Sequence, residues 1–405
     1  MDKHRILFIS EDITLAQVVR LVQLAKTLDK NIYEVHFACS EHKELIFKDA
    51  DFKLWNLSNI GQEKMQEALD ESRPIYTEEI LEDYVKAELQ LIDQVKPDLI
   101  VGDFRLSLSI SAPLSDTPFA SLINAYWSPF TNIAEYPIPD HPMVQILGEN
   151  LANFFFNLAR PVAFNQFAKP VNIVRKKYGL KPIGSLLETL TFGDFTLHPD
   201  TPGLVPTKNL PPKHHYLGPV LWSPQGTIEV DEGLTKGRPV IYVTLGSSGK
   251  IELIKKIINA LGELPVYALV ATAGRAQLAD VPENILVKDF FPGSEAAAIS
   301  ELVICNGGST TGYQALNEGK PILGLASNLD QYLAMLFITK AGAGKLMRAG
   351  TFKVKEFQEN IMSMLGDLAL KKAAEKVKDE FNEYDYGRIF NDLVEKILVQ
   401  KEIRL

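Results

Sequence analysis

The sequence has few cysteines, the residues that stabilise small folds as disulfides and bind metals as thiolates. It has only two cysteines, Cys39 and Cys305, among 405 residues, and both lie in apolar runs of strand length. This excludes a disulfide framework and a cysteine metal site. No spacing of histidine, aspartate and glutamate is typical of a metal site. We therefore expect two buried, apolar thiols and no bound metal.

Long apolar runs and an excess of basic charge are also lacking. The apolar run at residues 6–9 ends before Glu11 and Asp12, and it is too short for a signal peptide or a membrane-spanning helix. The 42 basic and 51 acidic residues give a net charge of -9. This argues against nucleic acid as a partner, because phosphate contacts need a basic surface. We expect a cytoplasmic protein.

The sequence does contain the alternating pattern of a large α/β protein. Apolar runs of strand length alternate with helical patterns in both halves, which indicates parallel sheets. Because one hydrophobic core rarely exceeds roughly 250 to 300 residues, 405 residues predict two domains. A proline-rich stretch at 199–239 separates them, and residues 355–405 have a largely helical pattern. The predicted strands are 5–10, 34–39 and 98–103 in the first half, and 239–246, 265–272, 284–290, 302–308 and 321–326 in the second.

Two glycine-containing turns follow predicted strands of the second half. Gly246, Ser247 and Ser248 form the first turn, which is compatible with phosphate binding or with a plain turn. The second turn has Gly307 and Gly308 followed by three hydroxyl side chains, Ser309, Thr310 and Thr311. Glycines let a diphosphate approach the backbone, and hydroxyls at a helix start donate to anionic oxygens. The second turn therefore predicts a diphosphate site.

A third polar cluster precedes another predicted helix. Asn328, Asp330 and Gln331 follow the strand at 321–326. An adjacent acid and amide suit hydrogen bonds to sugar hydroxyls, whereas Asn328 and Asp330 equally suit helix capping. Both interpretations remain open from these residues alone.

Taken in order, these clusters resemble the signature of glycosyltransferase family 1, HGGxxTxxxAlxxGxPxxxxPxxxDQ. Residues 306–331 read NGGSTTGYQALNEGKPILGLASNLDQ and keep its spacing. The resemblance implies the GT-B fold, with two Rossmann-like domains whose parallel sheets face each other across a cleft and a C-terminal helix that crosses back to the first domain. It implies an acceptor-binding domain at 1–215, a linker at 216–238, a nucleotide-sugar domain at 239–385 and the crossing helix at 386–405. Residues 101–109 and 124–129 resemble strands of the acceptor side.

The resemblance also assigns roles to residues of the donor site. It places the diphosphate on the two glycine turns, the ribose beside Gln314, and the donor sugar beside Asp330 and Gln331. The stretch at 288–297 resembles the segment beside the nucleobase. The implied donor-binding set is Gly246, Ser247, Ser248, Phe291, Pro292, Asn306, Gly307, Gly308, Ser309, Thr310, Thr311, Gln314, Asp330 and Gln331.

Two positions depart from the family pattern. The histidine that usually takes the acceptor proton is replaced by Gln17, which cannot accept a proton at neutral pH, and its partner acid aligns with Asp103. Asn306 replaces the histidine of the HGG motif and can donate a hydrogen bond but carries no charge. Three possibilities are open from the sequence: Asp103 acts directly, an acidic acceptor needs no base, or the chain binds its ligands without efficient turnover.

Candidates for the acceptor side are Trp127, Phe155 and His141, the last as a substitute base. The phenylalanine-rich stretch at 153–167 fits a packing stripe, and it also fits the wall of an apolar acceptor cleft or a surface that touches a membrane. The sequence does not specify an oligomeric state.

The predicted function is metal-independent, inverting transfer of a sugar from a UDP- or dTDP-sugar to a hydroxyl of a small apolar acceptor. The nucleotide sugar is a co-substrate, and no cofactor is expected. The alternative is a catalytically impaired homologue that binds nucleotide sugar. A sugar-nucleotide epimerase and an NAD-linked oxidoreductase are weaker rivals, because the first needs acid and base residues flanking the sugar and the second needs a glycine fingerprint that is missing.

Overall fold

The chain folds into two compact units, each built on one parallel β-sheet. This is a computed structural model, and it describes residues 3–71, 73–228 and 235–404. The first unit comprises Met1–Asn132, Leu158–Val220 and Tyr384–Leu405, and the second comprises Ile133–Asn157 and Leu221–Glu383. The middle of the predicted linker, residues 229–234, lies outside the described residues.

The sheet of the first unit has seven parallel strands in the order β3-β2-β1-β4-β5-β6-β7. Helices connect most of them, as parallel pairing requires. The strands are β1 (His4–Ser10), β2 (Tyr33–Cys39), β3 (Lys53–Asn56), β4 (Leu99–Asp103), β5 (Phe119–Leu122), β6 (Phe195–His198) and β7 (His214–Tyr216). The helices up to β7 are α1 (Leu15–Lys26), α2 (Glu44–Phe47), α3 (Gln62–Asp70), α4 (Glu78–Val95), α5 (Leu108–Leu114), α6 (Pro142–Leu147), α7 (Glu149–Lys177) and α8 (Leu186–Leu190).

The sheet of the second unit has six parallel strands in the order β10-β9-β8-β11-β12-β13. Its strands are β8 (Val240–Thr244), β9 (Tyr267–Ala271), β10 (Ile285–Lys288), β11 (Leu302–Cys305), β12 (Ile322–Ala326) and β13 (Gly344–Arg348). The helices that follow β8 in the chain are α9 (Ile254–Gly262), α10 (Gly293–Ala298), α11 (Ser309–Asn317), α12 (Leu329–Lys340), α13 (Val354–Leu365), α14 (Leu368–Asn382) and α15 (Tyr386–Arg404), of which α15 belongs to the first unit.

Both sheets are buried on their two faces, which explains the short continuous apolar runs in the sequence. In β1, the residues Ile6, Leu7, Phe8 and Ile9 are all fully buried. The order of strands reverses direction beside β1 and β4 in the first sheet, and beside β8 and β11 in the second. Open α/β sheets bind ligands at such switch points, beyond the carboxyl ends of the strands. The GT-B fold predicted from the sequence has this architecture.

Two segments lie in a different unit from their neighbours in sequence. Residues 133–157 belong to the second unit although the flanking residues belong to the first. The C-terminal helix α15 belongs to the first unit, where Phe390 packs against Phe8 and the side chain of Asn391 donates to the Thr27 carbonyl oxygen at 3.2 Å. The chain therefore passes between the units more often than a single linker requires.

Two segments predicted as acceptor-side strands are not strands over their full length. Only residues 101–103 of the segment 101–109 lie in β4, and Leu108 is the first residue of α5. Residues 124–129 contain a 3-10 turn at Ala125–Trp127. The strand of this region is β5, which begins five residues earlier, at Phe119. The backbone leaves the sheet at Asn124 because its side chain and the Ala125 N–H both bind the carboxylate of Asp200.

Of the described residues, none belongs to a helix long and apolar enough to cross a membrane.

A buried histidine pair lies at the edge of the first sheet and makes stability depend on pH. His198 Nε2 and His214 Nδ1 are 3.2 Å apart, and burial lowers the pKa of His198 to about 4 and that of His214 to about 3 from 6.5. Both rings take up protons on unfolding between pH 6.5 and pH 4, so acid favours the unfolded chain. We expect the free energy of unfolding to fall as pH is lowered through that window.

Denaturant titrations across that pH range measure this effect. The double variant His198→Gln, His214→Gln is the comparison, because it removes both titrating rings. A smaller loss of stability in the variant than in the unchanged chain supports the assignment, and equal losses contradict it.

Candidate functional site

The predicted diphosphate turn joins β11 to α11 in the second unit. Gly307 has a φ of 80°, and a Cβ atom at this position would lie 2.8 Å from Met335 Cγ. Only glycine fits both constraints. Helix α11 begins at Ser309, so the N–H groups of Thr310 and Thr311 lie in its first turn, where no intrahelical acceptor exists for them. This geometry presents backbone donors and the positive end of a helix.

The first glycine turn is held in place by an arginine that the sequence analysis did not identify. Gly246 has a φ of 58°, and Arg275 Nη1 donates to the carbonyl oxygens of Gly246 at 3.0 Å and Gly249 at 3.1 Å. Arg275 follows β9, the neighbour of β8, and its position at a strand end was the available signal. The guanidinium places a positive charge at the loop.

Asn306 joins the two glycine turns. Its Nδ2 donates to Ser248 Oγ at 3.0 Å, and its Oδ1 accepts from the Gly308 N–H at 3.1 Å. Asn306 is buried. The residue that departs from the HGG motif therefore fixes the relative position of both turns, a role that an amide with one donor side and one acceptor side can perform.

The cluster before α12 is organised by helix capping. Asn328 is the N-cap, and its side chain accepts from the Gln331 N–H, while Gln331 Oε1 accepts from the Ser327 N–H at 2.8 Å. Gln331 is 1% exposed, so its side-chain oxygen is occupied by this capping box. Asp330 is half-buried in the first turn of α12. Of the predicted sugar-binding pair, Asp330 is the more accessible member.

The predicted nucleobase segment is partly buried. Phe291 packs edge-on against Tyr242 and is 4% exposed, whereas Phe290 is exposed. Pro292 is the N-cap residue of α10. The side chain of Gln314, the predicted ribose residue, donates to the Trp222 carbonyl oxygen. Gln314 thereby ties α11 to the chain that enters the second unit.

A second group missed by the sequence analysis surrounds Asp140, in the segment 133–157. Asp140 Oδ1 accepts from the Tyr332 hydroxyl at 3.0 Å, and Oδ2 accepts from Lys250 Nζ at 3.3 Å. The Asp140 N–H donates to the Ser327 carbonyl oxygen at 2.9 Å, next to the capping box of α12. Arg348 donates to the carbonyl oxygens of residues 138 and 139. These contacts fix residues 138–140 beside the carboxyl ends of β12 and β13.

In the first unit, Gln17 serves as a capping residue. Its Oε1 accepts from the Thr14 N–H at 3.0 Å, in a capping box at the start of α1. One turn later, Arg20 donates to both carboxylate oxygens of Asp103, at 3.0 Å and 2.9 Å, and to Asn124 Oδ1 at 2.7 Å. Asp103 is fully buried. Asp103 is therefore a buried, ion-paired carboxylate, and Arg20 binds both of its oxygens.

The three acceptor-side candidates are divided between the two units. Trp127 is 9% exposed and lies near the ring of Phe164 in the first unit. Phe155 is half-exposed in α7 and belongs to the second unit. His141 is the exposed N-cap of α6, where Nδ1 accepts from the Met143 N–H at 3.1 Å. A neutral His141 then carries its proton on Nε2, which leaves no free nitrogen to act as a base.

A buried acid directly after β1 was also missed. Glu11 is fully buried, and burial raises its pKa to about 7, although Arg105 and the Tyr84 hydroxyl bind its carboxylate. Arg105 also donates to Glu88 Oε1 at 2.8 Å. Glu11 and Glu88 share the guanidinium of Arg105, and all three side chains are buried. The network therefore stabilises the carboxyl ends of β1 and β4 and presents no group to solvent.

Both cysteines are buried thiols, and burial raises the pKa of each to about 12. Within the described ranges no three side chains of histidine, cysteine, aspartate or glutamate are grouped in a way that could hold a metal ion.

Comparison with known proteins identifies relatives over most of the chain. Residues 255–384 match the family described as Erythromycin biosynthesis protein CIII-like, C-terminal domain. The chain is 42% identical over 381 residues, 94% of its length and 84% of the relative's, to a "PGL/p-HBAD biosynthesis rhamnosyltransferase" of Mycobacterium bovis (strain BCG / Pasteur 1173P2). It is 41% identical over 94% of its length and 89% of the relative's to a "PGL/p-HBAD biosynthesis glycosyltransferase" of Mycobacterium tuberculosis (strain ATCC 25177 / H37Ra). A relative named as an inactive glycosyltransferase, also of M. bovis BCG, is 40% identical over 64% of this chain and 71% of its own.

Solved structures agree on the fold. The spinosyn rhamnosyltransferase SpnG complexed with thymidine diphosphate superposes with a TM-score of 0.69 at 20% identity, over 96% of this chain and all of that one. SnogD of Streptomyces nogalater gives 0.66 at 19% identity, over 98% of this chain and all of that one. With 42% identity to a named rhamnosyltransferase over nearly its full length, the chain belongs to the glycosyltransferases of the GT-B fold.

Proposed function

We propose that the chain transfers a sugar, with inversion, from a nucleoside diphosphate sugar to a hydroxyl of an apolar acceptor. The observation that carries this proposal is the diphosphate turn at Gly307 and Gly308, where the geometry of Gly307 permits only glycine and the helix start presents backbone donors. A deoxyhexose such as rhamnose is the proposed sugar, because relatives in both the sequence and the structure comparisons are named rhamnosyltransferases. The nucleoside is uridine or thymidine.

In the proposed reaction, the acceptor oxygen attacks the anomeric carbon from the face opposite the diphosphate. A carbon–oxygen bond to the acceptor forms while the bond from the anomeric carbon to the diphosphate oxygen breaks, and that electron pair leaves with the diphosphate. The proton of the attacking hydroxyl passes to solvent or to a base. The main electrostatic task is to stabilise the negative charge that grows on the leaving group.

Several groups of the second unit are suited to that task. The first-turn N–H groups and hydroxyls of Thr310 and Thr311 supply donors, and Arg275 places a cation at the first glycine turn. Arg275 is exposed, so it can also reach an anion bound at the loop. We propose that Arg275 supplies charge that Asn306 cannot, since a guanidinium is always protonated. The role of Asn306 is then to hold the two turns together.

The missing base has a specific consequence for the acceptor. Gln17 is engaged in helix capping and both oxygens of Asp103 are bound by Arg20, so neither is suited to remove a proton. A hydroxyl that ionises readily needs little help from a base. We therefore propose a phenol or another acidic hydroxyl as the acceptor group.

Nucleotide binding tests the donor site. The double variant Thr310→Ala, Thr311→Ala is expected to bind UDP or dTDP at least about tenfold more weakly, because it loses two hydroxyl donors to an anion. Calorimetric titration of the full chain measures this change. Thr339→Ala, near the far end of α12, is the matched control and should bind as the unchanged chain does. Failure of the unchanged chain to bind any nucleoside diphosphate would contradict the proposal.

A catalytically impaired binding protein is the second candidate. The capping role of Gln17, the ion pair of Asp103 and the existence of a relative named as inactive favour it. Single-turnover assays with dTDP-rhamnose and UDP-glucose separate the two: tight nucleotide binding without product from either donor, on phenolic and alcoholic acceptors alike, would support the second candidate.

A further inference from the structure

Helix α7 has an apolar face that is exposed. Leu151, Phe154, Phe155, Leu158 and Val162 recur at intervals of three or four residues, with one adjacent pair, and so share one side of the helix. Phe154, Leu158 and Val162 are 63%, 69% and 63% exposed. We call these five residues the α7 apolar face. Ile146 and Leu147 of the preceding helix α6 are exposed as well.

This face is distinct from the side by which α7 packs into the fold. Ala152, Phe164, Ala168 and Val171 of the same helix are buried. The helix thus has one apolar side that is buried in the protein core and a second apolar side that is exposed. Contiguous exposed apolar residues of this kind mark an interaction surface. The face extends about 16 Å along the helix, which is longer than one small acceptor requires.

The charge of the helix indicates what covers the face. From residue 150 to residue 177 there is no acidic residue, although acids outnumber bases in the chain as a whole. Val162 is followed at seven-residue intervals by Lys169 and Lys176, so these lysines continue the same side of the helix, and both are exposed. By contrast, Lys177 is paired with Glu78 and Glu82. An apolar stripe continued by lysines, without acids, complements an anionic lipid surface.

We propose that the α7 apolar face binds the surface of an anionic lipid bilayer, with Lys169 and Lys176 at the headgroups. The helix lies along the interface and inserts Phe154, Leu158 and their neighbours among the acyl chains. A second copy of the chain fits less well, because the face offers no acid to meet the two lysines. The proposal does not depend on which sugar or acceptor the enzyme uses.

Sedimentation of the full chain with vesicles tests the proposal. Binding to vesicles of phosphatidylcholine with phosphatidylglycerol should exceed binding to phosphatidylcholine alone, and it should weaken as salt is raised. The double variant Phe154→Ser, Leu158→Ser should bind at least about tenfold more weakly. Leu45→Ser with Leu368→Ser is the matched control, because both leucines are exposed outside the face. Lys169→Gln with Lys176→Gln should weaken binding to the anionic vesicles only.

Three results would overturn the proposal. They are an unchanged chain that stays in the supernatant with anionic vesicles, a Phe154→Ser, Leu158→Ser variant that still sediments fully, and a dimer in solution that this variant dissociates. Because the substituted residues are exposed, the variants should fold normally, and circular dichroism checks this. If the Phe154→Ser, Leu158→Ser variant does not fold, the Lys169→Gln, Lys176→Gln variant tests the proposal by itself.

Discussion

Phenolic acceptors are expected to be glycosylated about 100-fold to 10,000-fold faster than alcohols of matched size, the range that a general base typically contributes. A phenol has a pKa of about 10, so part of it ionises without assistance near neutral pH, whereas an alcohol does not. Gln17 and Asp103 offer no assistance, because one caps α1 and the other is held by Arg20. Values of kcat/KM for a phenol and the corresponding benzyl alcohol, at saturating donor, measure the ratio.

The variant Gln17→His provides the internal comparison. It restores a titratable side chain at the usual position, and we expect turnover of the alcohol to rise at least about tenfold while turnover of the phenol changes little. The gain should stay below the full contribution of a general base, since Arg20 already occupies the acid that would orient the imidazole. Equal rates for phenol and alcohol in the unchanged chain would show that another residue removes the proton.

Replacing Arg20 is expected to cause a large loss of stability. Asp103 is fully buried, and Arg20 binds both of its carboxylate oxygens. Arg20→Met therefore leaves a buried carboxylate without its cation, which typically costs about 3 to 5 kcal/mol. Denaturation with urea, followed by circular dichroism, measures the loss in the free energy of unfolding.

The control for this prediction removes both charges. Arg20→Met combined with Asp103→Asn should be less destabilised than Arg20→Met alone, because the amide at position 103 is neutral. If the single and the double variant lose the same stability, the effect of Arg20 comes from packing and not from charge compensation.

Eight strands were predictable from the sequence, β1, β2 and β4 in the first sheet and β8 to β12 in the second, because parallel strands buried on both faces are continuous apolar runs. β1, β2 and β4 begin and end within two residues of the predicted runs. The edge strands β3, β7 and β13 were not predicted, and neither were the inner strands β5 and β6. Lys53, Leu54 and Asn56 of β3 are exposed, and β7 has only three residues, so neither strand carries the continuous apolar pattern that the prediction used.

Residues of the donor site that are close in sequence were predictable, and those that meet only in the fold were not. Gly307, Gly308 and Thr310 share one turn whose spacing is informative by itself. Arg275 contacts a loop more than 25 residues away in sequence. Its position after a predicted strand indicated the edge of the sheet but not that contact. Arg20 carried a weak signal, since it lies about one helical turn after Gln17 and therefore on the same side of α1.

The assignment of residues 133–157 to the second unit has a practical meaning for enzyme engineering. A simple design for a chimeric glycosyltransferase joins the part of one chain before the linker to the part of another chain after it. In this protein such a joint would separate Asp140 from Tyr332 and Lys250, and Arg348 from the backbone at residues 138 and 139. A hybrid that keeps the second unit intact takes residues 133–157 and 221–383 from one parent, while residues 384–405 stay with the first unit.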